Sequence, residues 1–162
     1  MSSRAEWMIY GANGYTGHLV AVEARRRDLK PVLAGRRAGP IEKLAVELGL
    51  PMRVFGLDDA PAAAAAIADM AVVANCAGPF AATSAPMIDV CLTSRAHYLD
   101  ITGEIDVFLA AQRRHADARQ PELSFVRAWG LMSFLLIAWP RSSRRRCLTQ
   151  PTSYSRSMRE AP

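Results

Sequence analysis

Short apolar runs alternate along the chain with longer segments in which apolar residues recur every three or four positions. The runs are typical of strands buried on both faces, and they occupy 7–10, 31–34, 52–55, 71–74 and 97–101. The periodic segments predict helices at 18–27, through 41–48, at 61–69, at 85–93 and at 105–118. In the last helix, Ile105, Phe108 and Leu109 are expected to face the sheet. This order predicts an α/β fold with a doubly wound parallel sheet.

The alternation stops at about residue 119, where the composition of the chain also changes. Residues 1–118 hold 12 Lys and Arg against 13 Asp and Glu, whereas residues 119–162 hold eight against two. The net charge of +5 therefore comes from the end of the chain, which contains no lysine. Because basic nucleic-acid-binding tails are usually rich in lysine, we do not expect nucleic acid as a partner. We predict one domain over 5–118 and an irregular, basic, poorly ordered tail over 119–162.

The remaining composition excludes several classes of protein. With 51% apolar and 22% charged residues, the chain is neither intrinsically disordered nor fibrous. Its longest apolar stretch, 128–140, is shorter than the roughly 20 residues of a membrane-spanning helix. Cys76, Cys91 and Cys147 form no C-x-x-C pair and the histidines lack ligand-like spacing, so no metal site is expected. The first residues are not typical of a signal peptide, and we expect a cytoplasmic protein.

A G-x-x-G-x-x-G turn joins the first predicted strand to the first predicted helix. Its glycines suit a tight turn, a close approach of the backbone to a pyrophosphate, and close packing of the helix on the sheet. The start of the helix can then stabilise the phosphates. An ordinary glycine-rich turn is the alternative, but the position in the first βαβ unit favours a Rossmann-like dinucleotide site. The candidate residues of this turn are Gly11, Asn13, Gly14, Tyr15, Thr16 and Gly17.

Two further segments fall where strands are predicted to end. Arg36 and Arg37 stand about 20 residues after the glycine turn, where an NAD site would place an acidic residue. Since guanidinium groups match a 2′-phosphate, we predict NADP(H) rather than NAD(H), although two solvated arginines are the simpler alternative. Cys76 is expected to pack rather than react, because no Lys, Arg or His is near it in sequence. The small residues after the fourth strand are the remaining candidates for the cofactor site: Cys76, Ala77, Gly78 and Pro79.

Four segments occur in the order and spacing of one family, namely 11–17, 34–36, 75–80 and 97–104. On these segments the chain resembles the saccharopine dehydrogenase-like oxidoreductases, and in particular the trans-acting enoyl reductases, over about residues 5–118. The resemblance implies an NADP-binding Rossmann domain followed by a substrate-binding domain. Because the sequence shows no counterpart of that second domain, we expect a truncated chain.

The resemblance also implies a function, which is the nucleotide-binding part of an NADPH-dependent oxidoreductase. The reaction it implies is reduction of an enoyl (CH–CH) group in lipid biosynthesis, on an acyl substrate presented by another enzyme. It assigns no catalytic residue here. Saccharopine dehydrogenase-type chemistry at a CH–NH bond and a non-catalytic NADP-binding remnant stay open as alternatives. A short-chain-type reductase is excluded, because neither Lys30 nor Lys43 follows a tyrosine at the required spacing.

The tail differs from the family in a way that a frameshift explains. The family carries a segment similar to Cys-Pro-Gly-Val-Gly-Phe-Asp-Val-Ile-Pro-Thr-Asp-Cys about where residues 126–138 stand, and the residues present are unlike it. If each family codon is the last base of one residue's codon plus the first two of the next, Trp129 followed by Gly130 forces Gly. The other junctions of 125–138 permit the rest of the segment. We therefore predict a frameshift near 118–120, arising in the gene or in its sequencing, and a genuine divergent tail is the alternative.

Overall fold

The computed structural model describes residues 6–107 and 109–110. The strands are β1 Glu6–Tyr10, β2 Val32–Gly35, β3 Met52–Val54, β4 Met70–Asn75 and β5 His97–Asp100. The helices between them are α1 Tyr15–Arg26, α2 Ala38–Leu48, α3 Ala60–Ala66 and α4 Phe80–Ser94. Each strand begins and ends within one residue of its predicted bounds. The predicted tail over 119–162 lies outside the described residues.

The five strands form one sheet in the order β3-β2-β1-β4-β5, and every pair is parallel. The chain therefore builds outward from β1 to β3, returns to the other side of β1, and builds outward again through β4 and β5. This arrangement confirms the predicted doubly wound, Rossmann-like sheet. The direction of winding reverses between β1 and β4, and ligands of such sheets bind outside the carboxyl ends of the strands at this point.

Alternate residues of the central strands pack into two separate cores, one on each face of the sheet. Met8 and Tyr10 of β1 point into the core formed with α3 and α4. Ile9, between them, lies in the core formed with α1 and α2. Because both faces are covered by helices, these strands are mainly apolar and do not alternate between apolar and polar residues.

Helix α4 begins five residues earlier than the predicted start at residue 85. Pro86 lies inside this helix and cannot donate a backbone hydrogen bond to the preceding turn. The helix continues through the proline because its buried residues, among them Met87, Ile88 and Cys91, pack in the core beneath it. Tertiary packing thus outweighs the local preference of proline.

The predicted face of the last helix is wrong. Residues 105–107 and 109–110 are helical, but Ile105 is 75% exposed and Leu109 is 41% exposed. Val107 is the buried apolar side chain of this turn. Ile105 and Leu109 are four positions apart and share one face, whereas Val107 is on a different face. Phe108 lies outside the described residues. Among the residues that the structure describes, no helix is long and apolar enough to cross a membrane.

Candidate functional site

A cleft of about 260 Å³ opens at the carboxyl ends of the central strands, where the winding of the sheet reverses. Nine of the twelve predicted site residues line it: Gly11, Asn13, Gly14, Arg36, Arg37, Cys76, Ala77, Gly78 and Pro79. Four further residues, which were not predicted as site residues, also line the cleft: Tyr10, Gly35, Ala82 and Thr83. The three predicted segments, which are distant in sequence, therefore meet at one place.

The first glycine of the turn has a conformation and a neighbour that exclude other residues. Gly11 has φ +78°, in the left-handed region. A Cβ atom added to it would lie 2.7 Å from the backbone nitrogen of Ala77. The Gly11 and Ala12 amides donate hydrogen bonds to the carbonyl oxygen of Ala34, at 2.7 and 3.1 Å. Gly11 thus allows the glycine turn to contact both the end of β2 and the loop after β4.

Gly17 has a packing role and does not line the cleft. A Cβ atom on it would overlap the carbonyl oxygen of Gly11 and lie 2.8 Å from the Cα atom of Ala12. These are backbone atoms, which cannot move without disturbing the end of β1. Gly17 therefore lets α1 pack close to the turn, as the spacing of the glycines predicts.

Helix α1 starts at Tyr15, three residues before its predicted start, with Gly14 as its N-cap. No acidic residue stands in its first turn. The side chains of Tyr15 and Thr16 do not line the cleft, and Tyr15 is 85% exposed. The backbone amides of the first helical turn have no acceptors within the helix and can donate to an anion. The structure thus offers backbone donors from these two residues rather than their side chains.

Arg36 and Arg37 follow β2 and are both exposed at the cleft. Within residues 6–107 and 109–110, neither guanidinium takes part in an ion pair. Burial raises the pKa of Tyr10, and the positive charge of Arg36 opposes that rise, so Arg36 acts on the buried floor of the cleft. The two arginines place positive charge at the cleft, and guanidinium groups suit phosphate oxygens.

Gly35 lines the cleft, although it was not among the predicted site residues and stood only within the family segment 34–36. A Cβ atom on Gly35 would lie 3.1 Å from Oδ1 of Asn13 and 3.1 Å from Cδ1 of Ile41. The absence of a side chain therefore leaves room for Asn13 above the end of β2. The position directly before the arginine pair was the available signal.

Cys76 begins the loop after β4, and its amide donates a 2.8 Å hydrogen bond to the carbonyl oxygen of Tyr10. Burial raises the pKa of its thiol to about 11, and the charge of Asp100 adds to the rise. A thiol with so high a pKa is protonated at neutral pH and is a poor nucleophile. The structure thus supports the predicted packing role.

We expect Cys76 to resist alkylation although it lines the cleft. At pH 8 a thiol with a pKa of about 11 should react roughly two orders of magnitude more slowly than an ordinary cysteine, because the thiolate is the reactive form. Iodoacetamide labelling followed by peptide mass spectrometry measures this rate. Cys91, whose thiol has a pKa raised to about 12 by burial, is the internal reference for an unreactive thiol. Labelling of Cys76 at the rate of free cysteine would contradict the expectation.

Comparison with known proteins identifies the family. A model of the saccharopine dehydrogenase NADP-binding domain matches residues 7–129, which is most of the chain. The chain belongs to this family. Its cofactor is accordingly NADP(H), as the arginine pair predicts. The resemblance at the level of the family is confirmed, and the trans-acting enoyl reductase branch is not part of that finding.

The relatives agree with this assignment. A saccharopine dehydrogenase-like oxidoreductase from Homo sapiens is 33% identical over 116 residues, covering 60% of this chain and 27% of the relative. The chain spans about a quarter of the length of the curated relatives it matches. The relative from Bos taurus is 30% identical over the same length.

Solved structures show the same fold. The apo saccharopine dehydrogenase (L-Glu forming) of Saccharomyces cerevisiae matches with a TM-score of 0.65 at 15% identity, covering 78% of this chain and 27% of that one. An NADPH-dependent quinone oxidoreductase of Escherichia coli, complexed with NADPH, matches with a TM-score of 0.57 at 18% identity, covering 70% and 45%. Both likenesses concern the fold alone.

Proposed function

We propose that this chain is the nucleotide-binding part of an NADPH-dependent oxidoreductase and holds NADP(H) in the cleft at the switch point of the sheet. The observation that supports the proposal is the meeting of the glycine turn, the arginine pair and the loop after β4 in that one cleft. At Gly78, which lines the cleft, no residue that the structure describes, other than its chain neighbours, stands within 4 Å of the position a Cβ atom would take, so the backbone there is open to a bound dinucleotide.

Each part of the cleft takes one part of the cofactor in this proposal. The amides of the first turn of α1 hold the pyrophosphate. Arg36 and Arg37 hold the 2′-phosphate. The loop Cys76–Pro79 borders the nicotinamide half, because it lies at the end of β4, across the switch point from β2.

The reaction we propose is the reduction of an enoyl group on an acyl substrate in lipid biosynthesis, in the cytoplasm. The resemblance of the four sequence segments to the trans-acting enoyl reductases supports this choice. When bound, the cofactor supplies hydride, and the protein positions it. The family name supports a second candidate, saccharopine dehydrogenase-type chemistry at a CH–NH bond, since fold alone does not fix the reaction.

Turnover assays separate these candidates. Oxidation of NADPH with an enoyl thioester supports the enoyl reductase, and oxidation with a 2-oxo acid and an amine supports the CH–NH enzyme. NADPH that binds but is not oxidised with either substrate would make the chain a non-catalytic NADP-binding protein. Restoring the family reading frame beyond 118–120, with the downstream domain, provides the positive control.

Cofactor choice gives the test of the site itself. We expect the 162-residue chain to bind NADPH at least about tenfold more tightly than NADH, because charge-assisted contacts to the 2′-phosphate contribute about 1.5–3 kcal/mol. Fluorescence titration of the two reduced cofactors measures the difference. Equal affinities would contradict the assignment of Arg36 and Arg37.

We further propose that a one-nucleotide frameshift near 118–120 produced the basic tail. The recoverable family segment and the change in charge at residue 119 support this proposal. The match to the family model ends at residue 129, which lies about ten residues beyond the proposed frameshift. Resequencing the coding DNA across codons 115–125 tests it, and the expected result is an intact family frame one nucleotide away. A coding sequence without such a frame would make the tail a genuine part of the protein.

A further inference from the structure

A chain of buried hydrogen bonds connects β5 to the loop that lines the cleft. The hydroxyl of Tyr98 donates to Oδ2 of Asp100 at 2.8 Å. Nδ2 of Asn75 donates to the Tyr98 hydroxyl at 3.3 Å. The backbone amide of Ala77 donates to Oδ1 of Asn75 at 3.1 Å. Asn75, Tyr98 and Asp100 are all buried, so their polar groups need hydrogen-bond partners within the protein.

The three hydrogen bonds between Ala77 and Asp100 all run from donor to acceptor in the same direction, towards Asp100. The Ala77 amide can only donate, so Oδ1 of Asn75 must face it and Nδ2 must face Tyr98. The single hydroxyl proton of Tyr98 is then directed to Asp100. Asp100 also accepts a bond from the Thr102 amide at 3.2 Å. Burial raises the pKa of Asp100, and the bonds from Tyr98 and Thr102 oppose that rise because they favour the carboxylate form. The Ala77 amide at one end, which can only donate, and the carboxylate at the other end, which can only accept, therefore require the same direction for every bond between them.

The hydrogen bonds that start at Asp100 end at Ala77, which is one of the residues that line the cleft. The carbonyl oxygen of Ala77 accepts a 2.5 Å hydrogen bond from the hydroxyl of Thr83, so this residue is held through both its amide and its carbonyl group. Thr83 also accepts from Nδ2 of Asn75 at 3.4 Å. On the other side, Ala77 leaves no space for a Cβ atom on Gly11. The position of Ala77 thus determines how the loop after β4 packs against the glycine turn.

We propose that Asp100 is a positioning residue for the cofactor and acts through Tyr98 and Asn75. It orients the side-chain amide of Asn75, which in turn holds the backbone amide of Ala77 in the wall of the cleft. The proposal rests on the proposed function, because it concerns the same cofactor site. None of the three side chains is among the residues that line the cleft. They act by fixing the loop.

The direction of the bonds can be tested by reversing it. In Asp100→Asn, an NH₂ group faces the Tyr98 hydroxyl in place of a carboxylate oxygen. Either the Tyr98 proton loses its acceptor at position 100, or the Asn75 side chain turns over and its NH₂ group faces the Ala77 amide. In the double variant Asn75→Asp/Asp100→Asn, the amide introduced at position 100 donates to Tyr98, and Tyr98 and Ala77 both donate to the carboxylate introduced at position 75. The double variant keeps the net charge and restores one acceptor for each of these donors.

The experiment measures NADPH affinity and hydrogen exchange of the Ala77 amide at pH 8, in the full 162-residue chain. We expect Asp100→Asn to weaken NADPH binding about tenfold and to speed Ala77 exchange, because a buried donor is left unmatched. The double variant should return the affinity to within about twofold of the original. Asp28→Asn, which removes an exposed carboxylate, is the matched control and should change neither quantity.

Every outcome decides the proposal. Unchanged affinity and exchange in Asp100→Asn would overturn it, and so would weak binding that the double variant does not restore. If Asp100→Asn fails to fold, the double variant must fold; if neither folds, the proposal is overturned. If the unmodified chain does not bind NADPH, the proposed function fails, and Ala77 exchange in the unliganded variants still decides whether the chain of bonds positions the loop.

Discussion

Replacing Gly17 with alanine should cost about 3 kcal/mol or more of folding stability, because the new methyl group would overlap backbone atoms. The atoms it would meet are the carbonyl group of Gly11 and Cα of Ala12, at the end of the central strand. Neither can shift unless α1 moves away from the sheet. Urea denaturation of the variant and the unmodified chain measures the loss.

Gly39→Ala is the matched control for this substitution. Gly39 lies in α2, and nothing stands within 4 Å of the Cβ atom that alanine would add. Alanine is favoured over glycine within helices by up to about 1 kcal/mol, but Pro40 disfavours a Cβ atom on the residue before it, so this variant should change the stability by no more than about 1 kcal/mol. Equal stability of the Gly17 and Gly39 variants would contradict the packing role of Gly17.

Replacing Arg36 with alanine should remove most of the preference for NADPH over NADH. The loss of one charge-assisted contact to the 2′-phosphate costs about 1.5–3 kcal/mol, which is roughly a tenfold to hundredfold weaker affinity for NADPH. Binding of NADH, which lacks that phosphate, should change little. Parallel titrations with the two cofactors measure both affinities.

Lys43→Ala provides the control for net charge. Lys43 is an exposed cation of α2 outside the cleft, so its removal lowers the net charge equally without touching the proposed phosphate site. We expect the preference for NADPH to survive in this variant. If the Lys43 and Arg36 variants lose the preference to the same extent, the effect arises from overall charge and the assignment of Arg36 is wrong.

The sheet and most of the site could be predicted from the sequence because their signals are local. Buried parallel strands are short continuous apolar runs, and Gly17 is needed where the backbone approaches itself within the glycine turn. The arginine pair follows β2 directly, so its place at the cleft depends only on the order of the strands. For these features the neighbouring residues determine the outcome.

The rest depends on contacts between distant residues. Asn75 and Tyr98 are 23 positions apart and meet only because β4 and β5 pair in the observed register. Thr83 faces the cleft because α4 begins at Phe80, and the helix spans Pro86 since core packing stabilises it. The periodicity around Ile105 did not identify the buried side, because one turn contains too few positions to distinguish the faces of a helix.

Amide chemical-shift mapping of the 162-residue chain during a titration with NADPH tests the central claim most directly. We expect the largest shifts in three separate segments, 11–17, 36–37 and 76–78, and much smaller shifts at 36–37 with NADH. Shifts confined to other parts of the chain, or NADPH and NADH giving the same pattern at Arg36 and Arg37, would contradict it.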